Sequence, residues 1–413
     1  MLLDKPLDPA DLLKDENERE RVRFIIETLD NLISSNQKGS VTVAINGDWG
    51  SGKTTYLRAI EGFYKDYCLS PVVFFEAWKY QDDNEPLVSL LLAIQDIPGL
   101  KANIKGRITK LIKPLLASGL FFSDLILKTF TGGDLSKLRE NFKLIEDKQL
   151  KLISRYKKNL RLLKDTIEDL LKNYKPTKKS KDREWKEYVE GWKVSPHSKI
   201  FVLIIDDLDR LIPAKAFRLV EALRFYFDID NTLIIMGVND EILNGYVREK
   251  YSLQGINSEK FIEKVFCWNY EIPYAPLNDL HLRSLKNILN DQKKINAIRN
   301  VLGKIDNLTH RKWIKLINRI EKKSLFYGQD NLEFALLEAV LKELYPEFEL
   351  FSRKFVGVSR HIYDGRIERE AEDIVKSAIK RIWDDHSYFE FPERNYLGLM
   401  QQIREMRVEE KEV

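Results

Sequence analysis

The residues most able to do chemistry are Gly47, Asp48, Trp49, Gly50, Ser51, Gly52, Lys53, Thr54 and Thr55, which carry the spacing Gly-x-x-x-x-Gly-Lys-Thr. That pattern suits a chain of phosphates. Glycine lets a backbone take positive φ and come close to an anion, so successive N–H groups and a helix start can wrap it. Lys53 is placed to reach the β and γ phosphates as a point charge, and the Thr54 hydroxyl to hold a magnesium ion. A second set of polar residues follows an apolar run: Asp206-Asp207-Leu208-Asp209-Arg210. Asp206, first after that run, is the expected magnesium ligand, directly or through water. Asp207 or Asp209 is then expected to orient an attacking water. A third polar position, Asn239, ends another apolar run. It suits either contact with a γ phosphate or the cap of the helix that follows.

Strands and helices must position these groups. Val41–Ile45 reads as a buried strand, and the run from Thr55 through Tyr56, Leu57, Ile60 and Phe63 as one face of a helix. Val72–Phe75 reads as a second buried strand ending at Glu76-Ala77-Trp78-Lys79-Tyr80-Gln81. Ile200–Ile205, β-branched and apolar on both faces, belongs inside a parallel sheet. Ligands bind at the C-terminal ends of such strands, so the acids at 206–209 should face the phosphate loop. Pro213–Phe227 reads as an amphipathic helix, Thr232–Val238 as a further strand, and Cys267–Ile272 as another, closed by Pro273 and Pro276. Ahead of the loop, Val22, Ile25, Ile26, Leu29, Leu32 and Ile33 recur at helical spacing.

Between Leu87–Ile94 and Ile200 the pattern is helical. Ile104–Lys113 is basic, and Pro114–Ser123 is uncharged but about half the ~20 residues a bilayer span needs. No transmembrane helix is expected there. Leu138–Tyr174 carries apolar residues at steps of three, four or seven, the stripe of one long helix that packs along another. From Lys143 to Lys186 there are 15 basic and 7 acidic residues, enough to attract a phosphate backbone or an anionic lipid surface. Past Pro276 the segments 332–344, 367–383 and 396–406 have helix periodicity, and Asn307–Asn318 looks like a helix start carrying two early cations.

Composition sets outer bounds. The 413 residues allow two or three domains, 44% are hydrophobic, and 68 basic residues against 64 acidic leave a net charge of +4. No global field points to nucleic acid or membrane, so any basic surface must be local. Two isolated cysteines, Cys68 and Cys267, and five scattered histidines give neither a disulfide framework nor a zinc site. The stretch from Met1 to Asp11 has no apolar core, so no signal peptide is expected, and a cytoplasmic location fits.

Gly-Asp-Trp-Gly-Ser-Gly-Lys-Thr at 47–54, Phe-Glu-Ala-Trp-Lys-Tyr at 75–80, Asp-Asp-Leu-Asp-Arg at 206–210 and Phe-Ile-Glu-Lys-Val-Phe at 261–266 together resemble the KAP family of P-loop NTPases. The resemblance covers roughly residues 11–318. It implies an additional-strand P-loop fold, with ATP and Mg2+ as cofactors and hydrolysis coupled to conformational change. It also implies an insertion between the two nucleotide motifs. His310-Arg311-Lys312 through Asn318 is similar to the family's Pro-Arg-x-x-Lys-Arg-x-x-Asn element, with His310 where proline is usual. Arg311 is the cation carried over. Many relatives place transmembrane helices in the insertion, and some bacterial ones take part in phage exclusion.

The expected architecture is thus α/β: a P-loop NTPase parallel sheet with helices on both faces, a mainly helical insertion and a C-terminal all-α region. The core spans 1–275, interrupted at about 85–195, and the helical domain spans 276–413. The expected activity is Mg-dependent ATP hydrolysis driving a switch, with Arg210 or Arg311 stabilising transition-state charge in cis or from a neighbouring subunit. The competing class is a nucleotide-gated binding module with little turnover. Its basic helical insertion admits nucleic acid, an anionic membrane surface or a protein as partner. The insertion and C-terminal helices also suit a homo-oligomer. A guanine-reading Asn-Lys-x-Asp motif is absent, which favours ATP over GTP, and no acceptor-pocket motif supports a small-molecule kinase.

Overall fold

The computed structural model describes residues 6–36, 38–83, 86–118, 147–176, 182–194, 200–251, 265–278, 292–303 and 307–327, with scattered residues between 263 and 343. In chain order its elements begin with α1 (Pro9–Leu12), α2 (Glu16–Ser35), β1 (Val41–Asn46), α3 (Lys53–Gly62), β2 (Val72–Glu76) and α4 (Pro86–Gln95). Three helices follow: α5 (Ala102–Ser118), α6 (Asp147–Asn173) and α7 (Asp182–Val189). Then come β3 (Phe201–Asp206), α8 (Pro213–Tyr226), β4 (Thr232–Val238), α9 (Asp240–Tyr251), β5 (Trp268–Glu271), α10 (Gln292–Leu302) and α11 (His310–Tyr327).

Among the described residues five strands form one sheet in the order β2-β3-β4-β1-β5, and every neighbouring pair is parallel. Strands β3 and β4 are buried along their whole length, as six- and seven-residue apolar runs require when both faces are covered. The alternation of side chains sends Phe201, Leu203 and Ile205 into one core, and Val202 and Ile204 into the other. Strand β4 stands between the strand that leads into the phosphate loop and the strand that ends in the acids. That is the additional strand expected of this architecture.

The insertion builds part of this core. Ile104, Ile108 and Leu111 of α5 and Leu163, Ile167 and Leu170 of α6 are buried in the same cluster as Phe201 and Leu203. Helices α5 and α6 run antiparallel, since Lys101 reaches Asn173 at 3.1 Å and Arg107 pairs with Asp169. On the other face, Trp185 and Val189 of α7 join α2 and α3 around Phe63. The long periodic stretch is a helix from Asp147 to Asn173; its first part, 138–146, lies outside the described residues. Helix α5 runs through Pro114 to Ser118, and the rest of the uncharged run also lies outside them. Among the described residues no helix is long and apolar enough to cross a membrane. Most of 252–264 and almost all of 328–413 lie outside them too, including half of the 261–266 motif and the helices expected at 367–383 and 396–406.

The chain divides into two compact units. One comprises Pro6–Asp48 and Gly52–Ile272; the other comprises Trp49–Ser51 with the described residues from Pro273 onward. In the second unit the Trp313 indole donates to the Ala275 carbonyl at 2.7 Å, and Ala275 N–H donates to the Leu308 carbonyl at 3.1 Å. These bonds tie the start of α11 to the chain that follows β5.

Candidate functional site

Helix α3 begins at Lys53 with Gly52 as its cap, at φ 103, and Gly50 stands at φ 84. Both are left-handed conformations that an L side chain resists. The loop between β1 and α3 therefore owes its shape to those two positions. Lys53 is buried, and its Nζ donates to the Gly47 carbonyl at 2.7 Å and the Asp48 carbonyl at 3.3 Å. The same ammonium lies 3.4 Å from Asp209 Oδ2. The loop amine and an acid from the far side of β4 thus form one ion pair.

Asp206, the last residue of β3, is 1% exposed. Its Oδ1 accepts the Asp207 backbone N–H at 2.9 Å, and the Thr54 hydroxyl favours the charged form of the same carboxylate. Its Oδ2 is buried with no hydrogen-bond partner. Burial pushes the Asp206 carboxyl above the usual range, while Thr54 and the Asp207 N–H pull it back down. A hard, acceptor-only oxygen left unsatisfied beside a hydroxyl is a donor set that fits a magnesium ion.

Asp207 takes φ 57, an uncommon conformation for a side-chain-bearing residue that opens the short turn Leu208–Arg210. Burial, and then the charge of Asp206, push its carboxyl up to about 6; Arg210, whose Nε lies 2.9 Å away, pulls in the other direction. Arg210 is thereby engaged with Asp207. Asn239, at the end of β4, accepts the Ile242 N–H on its Oδ1 at 3.1 Å, the cap foreseen for α9. It also lines a small cavity with Leu208, Asp209 and Tyr246, so it stands beside one of the acids as well. Thr55 is buried and its hydroxyl accepts the Leu7 N–H at 3.3 Å, which ties the N-terminal segment to the start of α3.

Within the second unit the loop tip meets α11. The Arg311 N–H donates to the Gly50 carbonyl at 3.0 Å, and its guanidinium lies over the Trp49 ring, 4.7 Å from the centroid. A first-turn N–H has no partner inside its own helix, so Gly50 supplies one.

Two further positions were missed in the sequence. Gly237 in β4 leaves the space that the acid needs, because a Cβ there would stand 3.1 Å from Asp206 Oδ1 and 2.9 Å from Leu57 Cδ1. Its only signal is a glycine inside an otherwise bulky strand. Glu76, in register with Asp206 at the tip of β2, adds its charge to those acting on Asp207. Arg58 lies 3.7 Å from Glu76 and 3.4 Å above the Phe74 ring.

Residues 22–320 match the KAP family P-loop domain, which is more than half of the chain. The chain belongs to that family. No curated protein is similar enough to the chain to mark a relative. Among solved structures, this KAP protein is similar to the Aeropyrum pernix ORC2 protein, determined as ADPNP-ADP complexes. The two are 14% identical over 96% of this chain and 89% of that one, with a TM-score of 0.34. Membership in a family of P-loop NTPases, with the loop and acids arranged as above, makes the KAP protein's core a nucleotide-binding one.

Proposed function

We propose that this KAP protein binds ATP with Mg2+ and hydrolyses it, and that turnover switches the arrangement of its helical insertion and C-terminal helices. One observation carries the reading: Lys53 pairs with Asp209, and Lys53, Thr54 and Asp209 all act on the buried Asp206 carboxylate, so residues far apart in sequence form one group. Loop N–H groups and Lys53 bind the phosphates; Gly47, Gly50 and Gly52 allow the approach. Thr54 and Asp206 hold the magnesium ion, which when bound neutralises charge building on the phosphates. Asp209 is committed to Lys53, which leaves Asp207, steadied by Arg210, to orient the attacking water. Asn239 is assigned to the γ-phosphate side of the site. Arg311 keeps the transition-state role that the family resemblance carries over to it.

Phosphate release by the full chain, compared with Lys53→Ala and Asp207→Asn, tests the assignment. Turnover should depend on magnesium and fall in both variants; equal release from all three proteins sinks it. A phage-exclusion setting rests on the family resemblance alone.

A second reading is supported by α6, where Lys158, Arg161 and Lys164 are exposed while Leu163, Ile167 and Leu170 are buried. In it, ATP gates a binding surface with little turnover. Retention of uncleaved ATP, together with DNA or RNA binding that weakens steeply with salt, favours this version. Loss of that binding when the three cations are neutralised would locate it. Vesicles carrying anionic lipid, and the mass of the protein in solution with and without ATP, cover the membrane and oligomer alternatives.

A further inference from the structure

Near the C-terminal edge of the sheet, three side chains that take no part in the assignments above join the end of β1, the helix start that follows β4, and β5. Asn46, the last residue of β1, accepts the Asp240 backbone N–H on Oδ1 at 3.0 Å and donates from Nδ2 to Asp240 Oδ2 at 2.9 Å. Asn269 of β5 donates to that same Oδ2 at 2.7 Å. Below this clamp the ladder between β1 and β4 runs out at the Gly47 N–H to Val238 carbonyl contact of 3.3 Å, long for such a bond. The side-chain bonds therefore carry the pairing of the two strands past the point where the backbone can. What they join is specific: Gly47 directly follows Asn46, and Asn239 directly precedes Asp240.

We propose that Asp240 is a positioning residue which, with Asn46 and Asn269, holds the start of the phosphate loop and Asn239 at a constant separation, so that both meet one nucleotide. The inference rests on the reading of the site as an ATP site. Its chemistry distinguishes it from a direct role. The clamp needs an oxygen acceptor at position 240, which an asparagine also offers, whereas a metal ligand or a base needs the charge. A rigid separation matters because a misplacement of about 1 Å in a reacting geometry can cost about 100-fold in rate.

The test uses the full chain as wild type, Asp240→Ala, Asn46→Ala, the double variant and Asp240→Asn. It reads kcat and KM for ATP with magnesium, together with hydrogen exchange of the amides at 47–53 and 239–243. Asp240→Ala should lower kcat about tenfold with KM within about twofold, and speed exchange in both segments. The double variant should be no worse than either single one, because both open the same clamp. Asp240→Asn should stay within about threefold of wild type throughout. Wild-type kcat and exchange in Asp240→Ala, or an Asp240→Asn as impaired as the alanine, would overturn the proposal. If Asp240→Ala does not fold, Asn46→Ala opens the clamp from the other side and is judged by the same outcomes. If the wild type binds ATP without turning it over, only the hydrolysis reading falls, and exchange with ATP bound decides the clamp.

Discussion

The loops after β1 and β3 touch through the Lys53–Asp209 pair, yet they are built in opposite ways. The first is a backbone device. Two glycines at φ 84 and φ 103 set its course, and two of the loop's own carbonyls hold the buried Lys53 ammonium that also meets Asp209. The second is a side-chain device. Three aspartates within four residues have three different surroundings: Asp206 is buried with an oxygen unsatisfied, Asp207 is paired with Arg210, and Asp209 is paired with Lys53. Where the backbone binds, residue type alone announces the function. Where side chains bind, identical residues acquire their roles from burial and neighbours.

The sharpest way to break this pairing is at the joint. Lys53→Ala removes the cation from the backbone loop and leaves Asp209 without it; phosphate-release assays should show turnover reduced about 100-fold or more. Gly50→Ala attacks the backbone device itself. An alanine at φ 84 costs about 1–2 kcal/mol for the left-handed conformation alone. Its Cβ would also stand 2.3 Å from Arg311 Cβ, so chemical denaturation should show a loss beyond that figure, with weaker ATP binding.

Gly237→Ala sharpens the comparison from the other side. The added methyl presses on Leu57 and on the Asp206 carboxylate, and overpacking of this kind costs about 1–3 kcal/mol. A titration of turnover against magnesium should show the half-maximal point moving upward, because the affected group is an assigned ligand. Wild-type magnesium dependence in that variant would remove Asp206 from the ligand set.

The smallest effect is expected outside both loops. His281 is buried, its Nδ1 accepts the Asn278 N–H at 3.2 Å, and its Nε2 lies 3.0 Å from His310 Nδ1. The Asn278 bond leaves Nε2 to carry the proton in the neutral ring. Burial, and then His310, lower its pKa from 6.5 to about 3. The folded chain thus refuses a proton that the unfolded chain accepts below 6.5. Its contribution to stability is full above 6.5 and is lost as pH falls toward 3. Denaturation midpoints followed from pH 7 to 4 should fall less steeply for His281→Gln than for wild type.

Much of this was legible in the chain itself. Val41–Asn46, Phe201–Asp206 and Thr232–Val238 announce themselves as strands because an apolar run of that length has no other place than a sheet covered on both faces. The phosphate loop is equally plain, since glycine at fixed spacing has few other uses. Asn239 stood between a cap and a phosphate contact, and the structure shows the cap while setting the residue beside Asp209. The insertion carried a helical pattern, but not the information that its Leu163 and Ile167 complete the core around β3.

What composition and spacing determined by themselves is the kind of site and the strands that carry it, because glycine freedom and continuous apolar runs are properties of the local chain. Tertiary structure alone decided that β4 would stand between the loop strand and the acid strand, and that Gly237 would leave room for Asp206. It also decided that one of three aspartates would meet Lys53 and that Asn46 would meet Asp240. Those facts depend on burial and on distances between residues as much as 194 positions apart, and no local pattern encodes either.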